Sequence, residues 1–264
     1  MSTSSIAPSD AGLMGWWRVA PPQPRRALIA ASMGWALDAF DVMLFSLTLS
    51  AVIAELGLTK GQAGALGSIT LLGGAAGGLF FGWVADRYGR TRSMIASVLL
   101  YSVFTAACGL SQTFWQFAFF RALLGLGMGG EWALGVALVM EAWPERHRSK
   151  MAGAIGMAAN AGMVLVGCMA LAYPADGESW RIHFLIGASP AILTLLIRLF
   201  VPESEKWERS AAKEAASVAP ARSKIGEVFG GELRGGTIAG ILMVSVVFVG
   251  TWGAVQWIPL WVSE

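Results

Sequence analysis

Seven apolar stretches, each about as long as a membrane span, alternate with polar stretches along the 264-residue chain. An α-helix needs about 20 mostly apolar residues to cross the hydrocarbon core of a bilayer. The pattern therefore predicts an all-α fold, a polytopic helical membrane protein with seven transmembrane helices. The approximate limits of the predicted spans are 27–54, 62–85, 93–110, 114–141, 150–173, 182–201 and 236–262.

The polar stretches divide the chain into four segments. Residues 1–26 are rich in Ser, Pro and Ala and are predicted to form a disordered tail on the cytoplasmic side. Residues 27–201 hold a six-helix transmembrane bundle, and residues 202–235 form a longer polar linker that includes a surface helix. Residues 236–264 contain the seventh transmembrane helix.

The composition supports a membrane protein over a soluble one. Hydrophobic residues make up 55% of the chain and charged residues 14%, with a mean hydropathy of +0.60. A soluble domain of this length would need more charge to cover its surface. Cys108 and Cys168 both lie inside apolar stretches, so we expect neither a disulfide framework nor a metal site.

Lysine and arginine are concentrated in alternate loops. Most of the 19 lie in the tail, in the loops after the second and fourth spans and in the linker, whereas the opposite loops hold Lys60 and Arg181. Loops rich in basic residues stay in the cytoplasm. The asymmetry predicts a multi-pass protein of the plasma membrane, the inner membrane if the source is a bacterium, with a cytoplasmic N-terminus.

Glycines recur at intervals of four residues in two of the predicted spans. The second span carries Gly74, Gly78 and Gly82, and the fourth carries Gly125 and Gly129. Small residues at this spacing let two helices approach closely within lipid, where packing joins helices. Close helix packing at these glycines is therefore expected, and glycines that are merely tolerated in membrane helices are the alternative.

A charged turn connects the second and third spans. Irregular polar backbone is not tolerated in hydrocarbon, so this turn is predicted to lie at one face of the bilayer. Its residues resemble the G-x-x-x-D-R-x-G-R-[KR]-[KR] signature of the major facilitator superfamily, a conformational-switch motif between the second and third helices. The matching residues are Gly82, Asp86, Arg87, Gly89, Arg90 and Arg92.

The resemblance implies a fold and a mode of action. Members of this superfamily have about twelve spans in two six-helix halves, which rock about a central site. The chain is accordingly expected to be the N-terminal half plus the seventh helix, with the missing C-terminal half as its partner. The other expected partners are a small-molecule solute, protons and the lipid bilayer.

Two aspartates lie in the middle of the first span. Asp38 and Asp41 share one helix face because they are three residues apart. Buried carboxylates must be protonated, paired or hydrated, and close carboxylates raise each other's proton affinity. We interpret them as a proton-coupling pair, with a structural hydrogen bond to a neighbouring helix as the alternative. They also resemble the D-G-x-D signature of aromatic-acid and sialate-type proton symporters, although Ala39 stands where that signature has Gly.

The fourth span also carries charges. Arg121 and the glycines that follow it resemble the R-x-x-x-G-x-G-x-G-G motif of the superfamily, in which the arginine is linked to proton coupling or to substrate charge. An arginine at this depth must be paired or hydrated, so a bond to backbone carbonyls or to a first-span aspartate is the structural alternative. Glu131 lies about 15 Å further along the helix and is expected to form a second polar site.

Two further stretches resemble signatures of sugar and metabolite porters. One is the E-x(n)-R-x-R cluster at the end of the fourth helix, and the other is P-E-S-P-R-W after the sixth, from which Glu205 departs. The resemblance implies a cytoplasmic charge cluster that joins the two halves in one state and releases them in the other. Solvated loop charge is the alternative. The residues concerned are Glu141, Arg146, Arg148 and Glu203, together with Asp86 and Arg90.

Several classes of function lack sequence support. The chain contains no Walker phosphate loop, nucleophile elbow or His/Glu cluster, so we expect neither an enzyme nor a bound cofactor or metal, and no nucleic-acid partner. The sequence favours a secondary active transporter for proton-coupled uptake of a small organic acid, a carboxylate or sialate-like compound. A sugar porter of the same superfamily and a non-transporting membrane sensor or scaffold are the alternatives.

Overall fold

The computed structural model describes residues 15–175, 177–204, 207–209, 229–231 and 233–255, and the single positions 212, 257, 258 and 262. The chain divides into two compact units, Met1–Trp207 and Glu208–Glu264. The described residues of the first unit form helices joined by short connections, and no strand occurs among them. The predicted all-α class is confirmed.

Each of the first six predicted spans corresponds to one long helix. A short helix α1 precedes them, and a single 3₁₀ turn at Gly177–Ser179 precedes the last. The helices are α1 Gly15–Val19, α2 Pro22–Leu56, α3 Lys60–Tyr88, α4 Arg90–Gly109, α5 Phe114–Ala142, α6 Glu145–Ala172 and α7 Trp180–Leu199. Of these, α2 to α6 are long and apolar enough to cross a membrane.

The chain is helical well before the predicted first span. Helix α2 begins at Pro22, a favourable residue for a first turn because its missing N–H would have no intrahelical partner there. The Arg25 side chain donates a hydrogen bond of 2.6 Å to the Arg18 carbonyl, and the Trp16 ring packs edge-on against Trp143 at 5.5 Å. The structure thus differs from the predicted disordered tail over residues 15–26, whereas residues 1–14 lie outside the described part.

The six long helices run alternately up and down between two ends. We call the end with the α3–α4 and α5–α6 connections the motif end, because it carries the signature turn. Helix α5 packs against α2, α3 and α4, while α2 also packs against α6 and α7. The most apolar windows of α2 and α5 are both 61% buried, against 17% for α6, so α2 and α5 form the centre.

Glycines allow α3 and α5 to pack backbone to backbone. A Cβ atom at Gly125 would overlap the carbonyl of Thr70, and one at Gly129 would overlap the carbonyl of Gly74. The expected close helix packing at these glycines is confirmed, and the structure shows that these two helices pack against each other. Gly82 takes no part in it, since no atom of another described helix lies within 4 Å of the position that a Cβ would occupy there.

One arginine joins three helices at the end opposite the motif end. Arg181 pairs with Glu55 of α2 at 2.6 Å and donates to the carbonyl of Gly109 in α4 at 3.1 Å. Trp180 also donates to the Glu55 carboxylate at 2.5 Å. These bonds fix the start of α7 and therefore the register at which its later residues enter the bundle.

The second unit contains one long helix, α8, at Leu233–Val255. It corresponds to the predicted seventh span at 236–262. Residues 256, 259–261, 263 and 264 lie outside the described part, as does most of the predicted linker at 202–235. The predicted surface helix of the linker therefore stays a prediction.

Candidate functional site

A buried ion pair joins α2 to α5. Nη1 of Arg121 lies 3.2 Å from Oδ2 of Asp41, and both residues are 1% exposed. Arg121 also donates from Nε to the Thr70 hydroxyl at 2.8 Å, while Thr105 donates to Oδ1 of Asp41 at 3.3 Å. The guanidinium carbon lies 4.3 Å from the centre of the Phe45 ring. The pair is neutral, and hydrogen bonds or ring contacts satisfy both partners.

A second buried group lies beside the first and includes a residue of α7. Arg198 pairs with Glu131 of α5 and donates to the carbonyl of Ala30 in α2 at 3.2 Å. Both charged side chains are fully buried. Gly34 of α2 provides their space, because a Cβ there would overlap the Glu131 carboxylate and the Arg198 guanidinium.

Asp38 faces this second group without a hydrogen bond of its own. Its side chain is fully buried, and neither carboxyl oxygen has a hydrogen-bond partner among the described residues. The Trp132 side chain and the charges of Glu131 and Arg198 act on Asp38. The Tyr101 hydroxyl close by is likewise without a partner in the described chain. A buried carboxyl in this state is a site for a proton, a water molecule or a polar ligand.

The buried charges do not balance when every group is ionised. The described interior of the first unit holds three carboxyl groups, at Asp38, Asp41 and Glu131, and two guanidinium groups, at Arg121 and Arg198. A surplus negative charge is costly in a dry interior. One proton on a carboxyl group would remove the surplus, and neither oxygen of the Asp38 carboxyl group has a hydrogen-bond partner among the described residues.

The motif end holds a separate network centred on Arg90. Its Nη2 atom lies 3.3 Å from Oε1 of Glu141 and 3.6 Å from Oδ1 of Asp86. The Ser204 hydroxyl donates to the other Glu141 oxygen at 2.5 Å. The network thus connects the end of α3, the start of α4, the end of α5 and the segment that follows α7.

Glu203 caps the start of α4. Its carboxylate accepts hydrogen bonds from the backbone N–H groups of Arg90 at 2.8 Å and Thr91 at 3.0 Å. A carboxylate at this position is favoured by the helix dipole. Gly89 precedes the helix with a φ of 109°, and a side chain there would overlap the Glu203 carboxylate. The turn therefore needs glycine both for its backbone conformation and for the cap.

The remaining predicted residues of the motif end are placed differently. Arg148 donates to the Met140 carbonyl at 3.0 Å and pairs with Glu145 at 3.3 Å, and Arg146 donates to the ring of His147 at 3.1 Å. The Arg87 guanidinium lies 5.9 Å from the Tyr88 ring centre, and Arg92 is exposed. The structure brings Glu141 and Glu203 together around Arg90. The contacts of Arg146 and Arg148 given above are with residues outside this network.

A family profile shows to which protein family the chain belongs. Residues 31–264 match the profile of the Major Facilitator Superfamily. The chain belongs to this superfamily. Its members are integral membrane proteins, which agrees with the apolar helices α2 to α6.

Curated relatives of the chain are named as transporters. It is 33% identical over 202 residues to the sialic acid transporter NanX of Escherichia coli, covering 76% of this chain and 50% of that protein. It is 34% identical over 184 residues to a cis,cis-muconate transport protein of Acinetobacter baylyi, covering 70% and 44%. A Cupriavidus pinatubonensis protein named "Probable 4-methylmuconolactone transporter" is 33% identical over 250 residues, covering 94% and 57%. The chain spans about half the length of these relatives.

Solved structures share the fold. A D-xylose–proton symporter superposes with a TM-score of 0.67 at 20% identity, covering 90% of this chain and 60% of that one. A bacterial homologue of the human lysosomal transporter Spinster superposes with a TM-score of 0.61 at 22% identity, covering 70% and 44%. At these identities the likeness shows the superfamily fold alone.

Among the residues that the structure describes, five charged side chains are buried; sequence reasoning identified four of them as site residues and missed Arg198. The structure buries Asp38, Asp41, Arg121 and Glu131 as expected, but it divides them into two groups. Arg198 lies close to the end of the predicted sixth span, where long basic side chains usually reach toward the membrane surface. The sequence feature that could have indicated a role for Arg198 was Glu131, because a carboxylate buried at that depth needs a cation as its partner.

Proposed function

We propose that the full-length protein is a secondary active transporter that takes up a small organic acid together with protons. The observation that carries the proposal is the buried set of three carboxyl groups and two guanidinium groups. Charges inside a membrane bundle are costly and typically mark the path of a substrate or a proton. The names of the relatives, which specify sialic acid, muconate and a muconolactone, favour an acid as the substrate.

The two buried groups have separate roles in this proposal. The Asp41–Arg121 pair fixes α2 against α5 and presents a cation near the centre of the bundle. Asp38, which has no hydrogen-bond partner in the described chain, carries the proton. Protonation neutralises the surplus charge, so the loaded transporter rocks between outward-facing and inward-facing states more readily than the deprotonated, empty one.

The motif end is proposed to face the cytoplasm of a bacterial inner membrane. The support is the excess of basic residues in the connections at this end. A cysteine placed at Lys60 in a cysteine-free variant is expected to react with a membrane-impermeant maleimide added to intact cells. A cysteine at Arg92, exposed at the motif end, should react only after the membrane is permeabilised. The reverse pattern would contradict this orientation.

Asp86→Asn is expected to reduce the transport rate by at least about tenfold, equivalent to about 1.4 kcal/mol, without a matching loss of folded protein. The change removes one of the two carboxylates that pair with Arg90 among the described residues. In the proposed cycle this network forms and breaks as the two halves rock. The measurement is transport per unit of folded protein in liposomes.

Glu145→Gln is the matched control for Asp86→Asn. Glu145 is also a carboxylate at the motif end, but its side chain is 86% exposed, and its pair with Arg148 is expected to contribute little. Its transport rate should stay close to that of the wild type. Normal transport by Asp86→Asn would show that the resemblance to the superfamily signature carries no mechanism in this protein.

A sugar porter of the same superfamily is the second candidate. Its support is the motif-end network, in which Glu141 and Glu203 contact Arg90 and the Ser204 hydroxyl donates to Glu141. The stretches that supply these residues resemble sugar-porter signatures. Under this alternative the buried carboxyl groups would still serve proton coupling, and only the substrate would differ.

Counterflow in liposomes that contain the full-length protein separates the candidates. Liposomes are loaded with one unlabelled compound and diluted into the same compound in radiolabelled form, and the panel comprises muconate, gentisate, sialic acid and xylose. Transient accumulation of an acid supports the proposal, and accumulation of xylose supports the sugar porter. Specific binding without counterflow of any bound compound would favour the sensor or scaffold.

A further inference from the structure

Arg198 of α7 completes a group of three charged side chains that no signature in the sequence predicts. We propose that it is a positioning residue, which holds Glu131 beside Asp38 so that the two carboxyl groups store one proton between them. We call Asp38, Glu131 and Arg198 the triad. The proposal rests on the proposed function and extends its proton site to α5 and α7.

The first step is the position of Arg198. Its guanidinium is fully buried and bonds to a carboxylate of α5 and to the Ala30 carbonyl of α2 at 3.2 Å. A residue near the end of a span could place its charge at the membrane surface, but this side chain points into the bundle. The absence of a side chain at Gly34 leaves room for the contact. The local geometry is therefore built around an inward-facing arginine.

The second step concerns the buried polar atoms of the triad that have no hydrogen-bond partner among the described residues. Among the described residues, both oxygens of Asp38, Oε2 of Glu131 and two nitrogens of Arg198 have no hydrogen-bond partner. The Tyr101 hydroxyl, contributed by α4, is also open in the described chain. Buried polar atoms are normally satisfied, so a concentration of open ones marks a place for water or for an exchangeable proton.

The third step is the charge of the groups that face one another. With both carboxyl groups ionised the triad carries a net charge of −1, and with one proton it is neutral. The neighbouring Asp41 is already neutralised by Arg121 at 3.2 Å, and Tyr101 is a neutral phenol in its ordinary state. Exchange of one proton therefore changes the triad between neutral and singly negative. Arg198 keeps the deprotonated state accessible, because without it that state would carry two uncompensated charges.

Opposite substitutions in the triad should shift proton binding in opposite directions. Arg198→Gln removes the cation, so the carboxyl groups should release their proton at a pH higher by about one to three units. Glu131→Gln leaves Asp38 with Arg198 and no competing carboxylate, so release should move to lower pH. In the double variant Glu131→Gln/Arg198→Gln, loss of the Asp38 proton again changes the net charge of the site from neutral to singly negative, as in the wild type. The pH midpoint of proton release should therefore return toward the wild-type value.

The measurement is infrared difference spectroscopy of the carboxyl C=O stretch during a pH titration of the purified protein in lipid nanodiscs. Arg181→Gln is the matched control. It removes an arginine from the same helix at the opposite end, where its partners are Glu55 and backbone carbonyls. This control can lower stability but should not move the midpoint. A purely structural role for Arg198 would likewise lower protein yield and leave the midpoint unchanged.

The outcomes separate this proposal from the proposed function, because the titration needs no substrate. Opposite shifts in the two single variants and recovery in the double variant support the triad, even if no tested acid accumulates in liposomes. An unchanged midpoint in Arg198→Gln, or no recovery in the double variant, overturns it. If one of the single variants does not fold, the test uses the double variant Glu131→Gln/Arg198→Gln. The C=O band of the buried carboxyl group must still titrate in this variant, and it must disappear when Asp38→Asn is introduced as a third substitution. Any other result contradicts the proposal.

Discussion

Asp41→Asn is expected to lower the free energy of unfolding by about 3–5 kcal/mol, the cost of breaking a buried ion pair from one side. The substitution leaves the Arg121 guanidinium inside the bundle without its counter-ion, beside the Thr70 hydroxyl and the Phe45 ring. The yield of folded protein should fall sharply. The measurements are thermal unfolding in detergent and the monodisperse fraction on size-exclusion chromatography.

Two comparisons show whether the loss comes from the unpaired arginine. The double variant Asp41→Asn/Arg121→Gln removes both charges and should recover much of the lost stability. Asp38→Asn is the matched single substitution on the same helix, and it leaves Arg198 paired with Glu131. Its yield should remain close to that of the wild type. Wild-type stability in Asp41→Asn would contradict the structural role assigned to the Asp41–Arg121 pair.

Asp38→Asn is expected to retain substrate exchange and to abolish accumulation driven by a pH gradient. Asparagine has nearly the shape of a protonated aspartic acid, so the variant is fixed in an analogue of its proton-loaded state. Exchange of internal for external substrate does not require return of the deprotonated, empty transporter. Net accumulation does require it. The measurement is both assays on the same liposomes, with full-length protein.

The contrast between the two assays makes this experiment specific. A purely structural role for Asp38 would reduce yield, exchange and accumulation together. If the Asp38→Asn variant still accumulates the acid when a proton gradient is the sole driving force, the proton-carrying role of Asp38 is contradicted. Glu131, the second carboxyl group of the triad, would then be the next residue to replace.

The fold was largely predictable because its signals are local. Apolar runs of membrane length between polar turns identified six helices whose ends differ from the prediction by a few residues. The largest departures are the starts of α2 and α6, which each lie five residues before the predicted span. At the start of α2, the residues Gln23, Pro24, Arg25 and Arg26 precede the apolar run. These residues are helical because the first turn of a helix does not need a continuous apolar face.

The site was predictable in composition but less so in its pairing. Asp38, Asp41, Arg121 and Glu131 stand out because charge is rare at that depth in a span. Spacing on one helix suggested that the two aspartates form one pair, yet Asp41 pairs with Arg121, and Asp38 lies beside Glu131 and Arg198. These partners are far apart in the sequence, so their choice depends on how the helices pack. Nothing local to Arg198 indicates that it turns inward.

The capping of α4 by Glu203 could not be predicted from the sequence either, because the two residues in contact are far apart along the chain. The resemblance to a porter signature placed this residue at the same membrane face as Arg90, but not on its backbone N–H group. The contact depends on the conformation of the chain after α7. It is consistent with the glycine at position 89, whose missing side chain leaves space for the carboxylate.

The measurement that tests the central claim most directly is coupled movement of acid and protons in liposomes that contain the wild-type full-length protein. A radiolabelled acid identified by counterflow is added outside at acidic pH, and a trapped pH-sensitive dye reports the internal pH. The account predicts accumulation of the acid above its external concentration, together with acidification of the interior beyond that of protein-free liposomes. It also predicts that Asp38→Asn abolishes both signals. Accumulation of the acid with no protein-dependent proton entry would contradict proton-coupled uptake.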